Sequence, residues 1–340
     1  MRLSRLLAAT AAAALALGLA ACSPAATADS QGPASSASDS AFPVTITHVY
    51  GETTIQKQPE RVATIAWANH EVPLALGVVP VGMSKATWGD DNGNGVLPWV
   101  EDKLKELGAK TPVLFDETDG IDYEAVADTH PDVILAAYSG LTKEEYETLS
   151  KIAPVVAYPK TAWGTSVDDM ITMDSEAIGK AAEGKKLIAD LHAQTEAALD
   201  AHSILKDKKV LFAYLDPSDL SQIGYYTAAD TRPGFLKQAG LPMPAIVQKH
   251  ADSKDFYLTV SAEKADELSD VDLFVTYGDD TTLAALQADP LLSKIPAIAA
   301  GHVAILPDAT PLAASANPSP LSIPWGLDTY FALLAAPLEK

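Results

Sequence analysis

Apolar residues recur with a helical period over residues 166–209, the longest stretch of the chain that reads as helix. Val167 and Ile171 begin the apolar face, and Leu187 and Leu191 continue it beyond a softer patch that contains two glycines. Short apolar, β-rich runs alternate with helical runs both before and after this stretch. The pattern therefore predicts a helical connection between two similar α/β lobes.

Strands and helices alternate within each predicted lobe. The first lobe, residues 42–165, begins with a β-hairpin over 44–56 and continues with strands at 62–67, 78–83, 112–115, 133–138 and 155–158. The second lobe, residues 210–340, has predicted strands at 210–215, 246–248, 271–277 and 303–306. Because this alternation calls for mostly parallel sheets covered by helices, the fold class is α/β. It comprises two doubly wound lobes joined by one long helix, with a ligand cleft between the lobes.

The N-terminus has the pattern of a lipoprotein signal. Arg2 and Arg5 precede an apolar run over residues 6–18, and Leu-Ala-Ala-Cys closes the run at Cys22. This pattern predicts that residues 1–22 supply a signal peptide and a lipidated Cys22. A plain secretory signal with an incidental cysteine is the alternative. The Ala-, Ser-, Gly- and Pro-rich residues 23–41 are typical of a flexible tether.

Charge and cysteine content exclude several classes of protein. The chain has 24 Lys and Arg against 45 Asp and Glu, a formal net charge of −21. So acidic a body argues against a nucleic-acid partner, whose phosphates need a basic surface. Cys22 is the only cysteine, which excludes a disulfide, a thiolate metal site and a cysteine nucleophile in the mature chain. No later segment approaches the roughly 20 apolar residues of a membrane span.

Aromatic residues recur where the predicted strands end. Any one of them could simply cap a strand with its polar tip in water. Together they predict an aromatic-lined cleft for a bulky, partly apolar ligand, because open parallel sheets bind ligands outside the carboxyl ends of their strands. The residues at or just beyond these ends are Trp67, Tyr138, Tyr158, Tyr214, Tyr277, Trp88, Trp163, Tyr225 and Tyr226.

Residues 90–101 match the calcium-loop pattern D-x-[DN]-x-[DN]-G-x5-E in full. The oxygen donors would come from Asp90, Asn92, Asn94 and Glu101. Since two asparagines replace carboxylates, any affinity for calcium is expected to be weak. The alternative is an ordinary polar loop that leads into a helix.

Catalytic motifs are weakly represented. Ser261 and Lys264 match the S-x-x-K pattern of serine acyl enzymes, but neither companion motif accompanies them. There is no G-x-S-x-G, phosphate-loop or H-E-x-x-H pattern, and the seven histidines are scattered without a close pair at ligand spacing. We therefore expect the protein not to be an enzyme.

An ordered set of short segments resembles the iron–siderophore substrate-binding lipoproteins of ABC importers. The resemblance covers the chain from about residue 44 to its C-terminus, and that family also includes binders of cobalamin and haem. The segments are PERV at 59–62, LALG at 74–77, PVG at 80–82, PDVIL at 131–135, YSGL at 138–141, LSKIAP at 149–154, VSAE at 260–263 and SPLS at 319–322.

The resemblance implies a ligand gripped between two lobes, a small hinge motion and docking onto an ABC permease of the cytoplasmic membrane. In that family an acidic residue on each lobe pairs with arginines of the permease. Glu71 matches the position in the first lobe. Gly234 stands at the matching position in the second lobe, so Asp230, four residues earlier, is the substitute and the dock departs from the symmetric pattern of two salt bridges.

The resemblance also implies that arginine binds an anionic ferric siderophore. Beyond the signal, only Arg61 and Arg232 remain, and Arg61 begins a strand at the end away from the cleft. One cleft arginine on an acidic body favours a ferric hydroxamate, such as a ferrioxamine or ferrichrome, over a catecholate trianion. Iron would be bound only through the siderophore, without a covalent cofactor, and the protein is expected to act as a monomer. The predicted ligand-binding residues are Trp67, Trp88, Tyr138, Trp163, Tyr214, Tyr225 and Arg232.

Three alternatives stay open. Capture of haem or cobalamin is the nearest, and haem would need an axial Tyr or His in the cleft. An envelope serine hydrolase that uses Ser261 and Lys264 belongs to a different class. A purely structural surface lipoprotein would bind no small ligand saturably.

Overall fold

The computed structural model describes residues 42–339, so the predictions on the signal peptide, on Cys22 and on the tether at 23–41 lie outside the described residues. The first element is the predicted hairpin, in which β1 (Val44–His48) pairs antiparallel with β2 (Gly51–Ile55). The hairpin packs on the first lobe, where the Thr53 hydroxyl donates to the Val155 carbonyl at 2.7 Å. Among residues 42–339 no helix has the length and apolarity that a membrane span requires.

The first lobe is a parallel sheet with connecting helices. Its strands are β3 (Val62–Thr64), β4 (Gly82–Ser84), β5 (Val113–Phe115), β6 (Val133–Leu135) and β7 (Val155–Val156). Its helices are α1 (Glu71–Ala75), α2 (Pro98–Glu106), α3 (Tyr123–Asp128) and α4 (Lys143–Leu149). The strand order is β5-β4-β3-β6-β7. The central strands β3 and β6 are buried along their whole length, as expected for strands covered by helices on both faces.

The connection between the lobes is helical, as predicted, but consists of two helices instead of one. They are α5 (Val167–Ala177) and α6 (Ala181–Ala201). The break lies at Gly179, which adopts a left-handed φ of +71° and lies against the ring of Phe42. A β-carbon at Gly179 would lie 2.6 Å from that ring, so both the conformation and the close approach call for glycine.

The second lobe repeats the plan with one reversed strand. Its strands are β8 (Val210–Tyr214), β9 (Gln222–Tyr226), β10 (Tyr257–Ser261), β11 (Leu273–Gly278) and β12 (Val303–Pro307), in the order β10-β9-β8-β11-β12. β9 is the reversed strand and runs antiparallel to both its neighbours, β8 and β10. The helices are α7 (Thr231–Gln238), α8 (Ala245–Lys249), α9 (Thr282–Ala288), α10 (Pro296–Ala300), α11 (Pro311–Ser315) and α12 (Ser322–Ala335). Short 3-10 helices cover Ser203–Leu205, Ala262–Leu268, Leu292–Lys294 and Ala336–Leu338.

The two sheets share one topology. Counted from its own first strand, each has the spatial order 3-2-1-4-5. One cluster of buried apolar residues contains members of both lobes and of α5 and α6, including Val133, Ile171 and Phe212. Because this core continues from lobe to lobe, it favours the small hinge motion that the resemblance implies.

One predicted element of the second lobe is wrong, and two strands were not predicted. The predicted strand at 246–248 belongs to α8, and both β9 and β10 were missed. A run as short as Ile246-Val247-Gln248 does not distinguish a strand from a short helix. Here Pro244 precedes the run and supports a helix start.

Candidate functional site

The loop after β3 places Trp67 between two residues of left-handed backbone conformation. Ala66 and Ala68, on either side of it, have left-handed φ angles of 60° and 64°. The Glu117 carboxylate accepts a hydrogen bond from the Ala66 amide at 3.0 Å, and burial raises the pKa of Glu117 to about 7. The Asn69 side-chain nitrogen donates to the Tyr138 carbonyl at 2.9 Å, which links this loop to the residues that follow β6. Left-handed non-glycine residues concentrate at functional sites, and these contacts hold Trp67 at the carboxyl edge of the sheet.

Trp163 and Tyr138 form the next part of this edge. Their rings meet edge to face with centroids 5.4 Å apart. Trp163 has a left-handed φ of 59°, and its amide donates to the Ser139 carbonyl at 2.9 Å. A β-carbon at Gly140 would lie 2.2 Å from the indole nitrogen, so only glycine allows the indole to lie there. Beside Trp163 is a pocket of about 170 Å³, also lined by Glu117, Ser139 and Glu145.

Arg232 occupies the facing edge of the second lobe. Its guanidinium carbon lies 4.0 Å from the Tyr226 ring centroid and 5.8 Å from that of Phe212. Asp230 caps α7 by accepting from the Arg232 amide, and its carboxylate lies 3.5 Å from Arg232 Nε. Burial disfavours the charged guanidinium, but the Tyr277 phenol and Asp230 hold its pKa above its ordinary value.

Arg232 retains hydrogen-bonding capacity. Nε is buried and has no hydrogen-bond partner among the described residues. A guanidinium placed over an aromatic ring is stabilised by the face of the ring and still presents donors at its edge. The geometry therefore suits the anionic oxygens of a ligand.

The two edges face one another. The Tyr138 hydroxyl lies 3.3 Å from the Thr231 hydroxyl and 3.3 Å from the Asn317 side-chain nitrogen, both in the second lobe. The Trp88 ring meets Tyr277 edge to face at 5.4 Å. A cavity of about 230 Å³ lies where the lobes meet and is lined by Thr165, Asp230 and Thr231, among others. The predicted ligand cleft thus corresponds to a lobe interface lined by aromatic and polar groups.

A second cavity lies away from the strand ends, beside the connecting helices. It measures about 300 Å³ and is lined by residues of α5, α6, α7 and α12, including Asp168, His192 and Gln238. The Asp168 carboxylate accepts from Gln238 at 2.7 Å and lies 2.9 Å from His192 Nε2. These polar groups already bond one another beside the connecting helices. We therefore place the candidate site at the strand ends, where Arg232 is incompletely satisfied.

Most of the predicted ligand-binding residues lie at these edges. The residues at the edges are Trp67, Trp88, Tyr138, Trp163 and Arg232. Tyr214 is the last residue of β8 and is 46% exposed. Whether they contact a ligand stays a prediction.

The prediction for Tyr225 is wrong. Tyr225 is 2% exposed and packs in the core on the far face of the second sheet. Its neighbour Tyr226 lies against Arg232 instead, because alternate residues of a strand face opposite sides of a sheet. Recognition of β9 as a strand would have separated the two tyrosines. Tyr277 was one of the aromatic residues noted at strand ends, but it was not among the predicted ligand-binding residues. No pattern in the sequence indicated that Asn317 lies at the site.

Neither predicted docking acid is accessible to a permease. Glu71 is 1% exposed and accepts hydrogen bonds from Trp99 Nε1 at 2.7 Å and from the Leu321 amide at 2.9 Å. Asp230 is 2% exposed and is engaged by α7 and Arg232. A docking salt bridge needs an exposed carboxylate, so both assignments are corrected. Arg61, by contrast, holds structure as predicted, since its guanidinium donates to the carbonyls of Thr129 and His130.

The calcium-loop residues satisfy one another. The Asp90 carboxylate accepts from the amides of Asn92, Gly93 and Gly95, and the side-chain amides of Asn92 and Asn94 donate to Glu101. Within residues 42–339 no group of three His, Cys, Asp or Glu side chains could hold a metal ion. Calcium binding here stays a prediction.

The serine-hydrolase pattern is not assembled as a catalytic pair. Ser261 Oγ caps the following 3-10 helix by accepting from the Glu263 amide at 3.3 Å. Lys264 is exposed and lies 3.9 Å from the Glu267 carboxylate. The contacts of both side chains are those of ordinary structural residues.

Two α/β lobes of one topology, joined by helices and meeting at aromatic strand ends, define a two-lobed solute-binding protein. Residues 62–310 match the family model described as "Periplasmic binding protein", and the chain belongs to that family. It is 31% identical over 241 residues to the "Probable siderophore-binding lipoprotein YfiY" of Bacillus subtilis, covering 68% of this chain and 67% of the relative. It is 25% identical over 276 residues to the "Ferric enterobactin-binding periplasmic protein FepB" of Escherichia coli, covering 76% of this chain and 81% of the relative.

Solved structures show the same fold. Streptococcus pneumoniae PiaA in complex with ferrichrome has a TM-score of 0.84 and 48% sequence identity, covering 87% of this chain and 99% of that one. A periplasmic solute-binding protein from Mycobacterium smegmatis has a TM-score of 0.70 and 28% identity, covering 87% and 98%. These comparisons confirm the predicted fold class and the predicted family.

Proposed function

We propose that the protein is the extracytoplasmic solute-binding component of an ABC importer and that it captures a ferric hydroxamate siderophore between its lobes. The observation that carries the proposal is the enclosed guanidinium of Arg232, seated on Tyr226 and facing Tyr138 across the cleft. Similarity to a ferrichrome-bound structure at 48% identity supports the same ligand class.

The charge of the site favours a hydroxamate over a catecholate. Arg232 offers donors to the anionic oxygens around the iron, while Trp67, Trp88 and Trp163 provide apolar walls. The Asp230 carboxylate offsets part of the charge of Arg232, and the body is strongly acidic. A trianionic ferric catecholate would therefore be less favoured than a near-neutral ferric trihydroxamate. The iron would be held by the siderophore alone, without a protein ligand or a covalent cofactor.

The remaining parts of the proposal concern location and partners. Cys22 would carry the lipid that anchors the protein to the membrane, and residues 23–41 would let the monomeric lobes reach a permease. The permease would bind a surface other than Glu71 or Asp230. The protein would act by binding and delivery, without catalysis and without nucleic acid.

The test is a titration of intrinsic tryptophan fluorescence in the purified full chain. The ligands are ferrioxamine, ferrichrome, a ferric catecholate and haem, and each is compared with its metal-free form. We expect saturable quenching by a ferric hydroxamate at submicromolar concentration.

Quenching by the catecholate alone would overturn the ligand class but not the importer role. A Soret shift that one Tyr or His substitution abolishes would favour haem capture. Labelling of Ser261 by an acyl-enzyme probe would favour the hydrolase, and silence from every ligand would overturn the proposal.

A further inference from the structure

The segment between α11 and α12, residues 316–321, crosses from the cleft to the first lobe. At its cleft end the Asn317 side-chain oxygen accepts from the Thr231 hydroxyl and lies 3.5 Å from the Tyr138 hydroxyl. Tyr138 belongs to the first lobe and Thr231 begins α7 of the second, one residue before Arg232. Asn317 therefore bridges the two walls of the candidate site.

The other end of the 316–321 segment is held by Glu71, the first residue of α1. Glu71 Oε2 accepts from the Ser319 hydroxyl and, at 2.9 Å, from the Leu321 amide. Glu71 Oε1 accepts from Trp99 Nε1 at 2.7 Å. Ser319 and Glu71 are both almost fully buried, so these hydrogen bonds are shielded from water. Burial raises the pKa of Glu71 to about 7, while the donors of Ser319 and Trp99 lower it. A buried donor that loses its acceptor is costly whatever the charge of that acceptor.

The sequence of the 316–321 segment explains why it depends on this carboxylate. Pro318 and Pro320 have no amide hydrogen, so they cannot donate to a regular backbone pattern. The amides of Ala316 and Asn317 still donate to the Ala313 and Ala314 carbonyls at the end of α11. Further along, the Ser319 amide donates to Ser322 Oγ at 2.9 Å, and the Leu321 amide donates to Glu71. Removal of the Glu71 acceptor would leave buried donors without partners, and the segment would shift to satisfy them.

We propose that Glu71 is a positioning residue of the ligand site, which fixes the 316–321 segment and thereby holds Asn317 between Tyr138 and Thr231. The proposal rests on the proposed function, because it concerns affinity for the ferric siderophore. Glu71 does not touch the ligand. It raises affinity by fixing the position of one cleft wall relative to the other. The guanidinium of Arg232 and the phenol of Tyr138 then face the ligand together.

The test combines affinity with a ligand-free measurement in the full chain. In Glu71→Gln we expect the affinity for ferrichrome to fall by roughly tenfold, the effect of leaving one buried donor without its acceptor. Asn317→Ala should have a similar effect, and the double variant should be no worse than the worse single variant, because the two act in one chain of contacts. Ser319→Ala removes one donor and leaves the Glu71 carboxyl group in place. It replaces Glu71→Gln in both measurements if Glu71→Gln does not fold.

The matched control is Asp174→Asn. Asp174 is an equally buried carboxylate in α5, but its oxygens have no hydrogen-bond partner among the described residues, so its replacement should leave affinity unchanged. Without ligand, hydrogen exchange at the Leu321 amide should accelerate at least about tenfold in Glu71→Gln and not in the control.

The outcomes separate the two proposals. Unchanged exchange at Leu321, or additive losses of affinity in the double variant, would overturn the positioning role. Failure of the unchanged chain to bind any ferric complex would overturn the proposed function. The exchange measurement would then still decide whether Glu71 holds the 316–321 segment.

Discussion

The guanidinium of Arg232 lies on the ring of Tyr226, with 4.0 Å between the guanidinium carbon and the ring centroid. Tyr226 comes from β9 and Arg232 from the first turn of α7, so the pair joins the end of a strand to the start of a helix. The Tyr138 phenol of the opposite lobe is near enough to contribute to the raised pKa of Arg232. Three predictions for the cleft depend on this arrangement and on the facing wall.

Replacement of Arg232 should weaken binding more than it weakens the fold. We expect Arg232→Gln to lower affinity for a ferric hydroxamate by about tenfold or more, the effect of a lost charge-assisted hydrogen bond. Arg232→Lys should recover part of the loss, because it retains charge but lacks the planar fork. The measurement is the fluorescence titration.

The control for this prediction is Arg61→Gln. Arg61 bonds backbone carbonyls at the far end of β3, so its loss should lower the melting temperature and leave affinity intact. Equal losses of affinity in both arginine variants would contradict a binding role for Arg232.

The neighbouring tyrosines Tyr225 and Tyr226 should behave differently. Tyr226→Ala should lower affinity by about tenfold, because it removes the aromatic face under Arg232. Tyr225→Phe should leave affinity unchanged, since that ring lies in the core on the other side of the sheet. Binding by isothermal calorimetry distinguishes the two, and a loss in Tyr225→Phe alone would mean that β9 is shifted by one residue.

Gly140→Ala should displace Trp163. The new methyl would lie 2.2 Å from the indole nitrogen, so the ring must move. We expect a loss of stability of about 1–3 kcal/mol together with weaker binding. Gly234→Ala is the control for stability, because its β-carbon would approach no atom closer than 3.8 Å and alanine favours the helix. Denaturant unfolding and titration of both variants test this. Unchanged binding by Gly140→Ala would mean that Trp163 does not contact the ligand.

Much of the fold follows from local pattern in the sequence. Parallel strands such as β6, with its continuous Val-Ile-Leu run, are recognisable because both their faces are buried. In the sequence, the break at Gly179 shows only as a stretch where the apolar helical period is weaker. A glycine within such a period does not reveal where the chain turns. The antiparallel β9 was missed because its Gly224 and paired tyrosines do not alternate in polarity.

The site was harder to predict for a physical reason. Aromatic residues at strand ends can be listed from the sequence, but the direction of each ring depends on strand register, as Tyr225 and Tyr226 show. Burial of Glu71 depends on Ser319 and Leu321, about 250 residues away along the chain. No local pattern contains such a contact, so a helix-start glutamate was read as exposed.

Asp174 should make the protein less stable as the pH rises. It is fully buried in α5, neither carboxylate oxygen has a hydrogen-bond partner among the described residues, and burial raises its pKa well above the ordinary value. An unfolded aspartate loses its proton near pH 4, at about 3.9. The folded state keeps this proton to higher pH, so the free energy of unfolding falls as pH rises from about 4 through the raised pKa.

Asp174→Leu removes this contribution while keeping a side chain of similar size. We expect the variant to be more stable than the unchanged chain by about 1–3 kcal/mol at pH 8, with a smaller difference at pH 5. Thermal unfolding of both proteins at the two pH values measures it. The other buried carboxyls, Glu71 and Glu117, are present in both proteins, so their contributions cancel in the comparison. A variant equal to or less stable than the unchanged chain at pH 8 would show that the Asp174 carboxylate has a stabilising partner when it is charged.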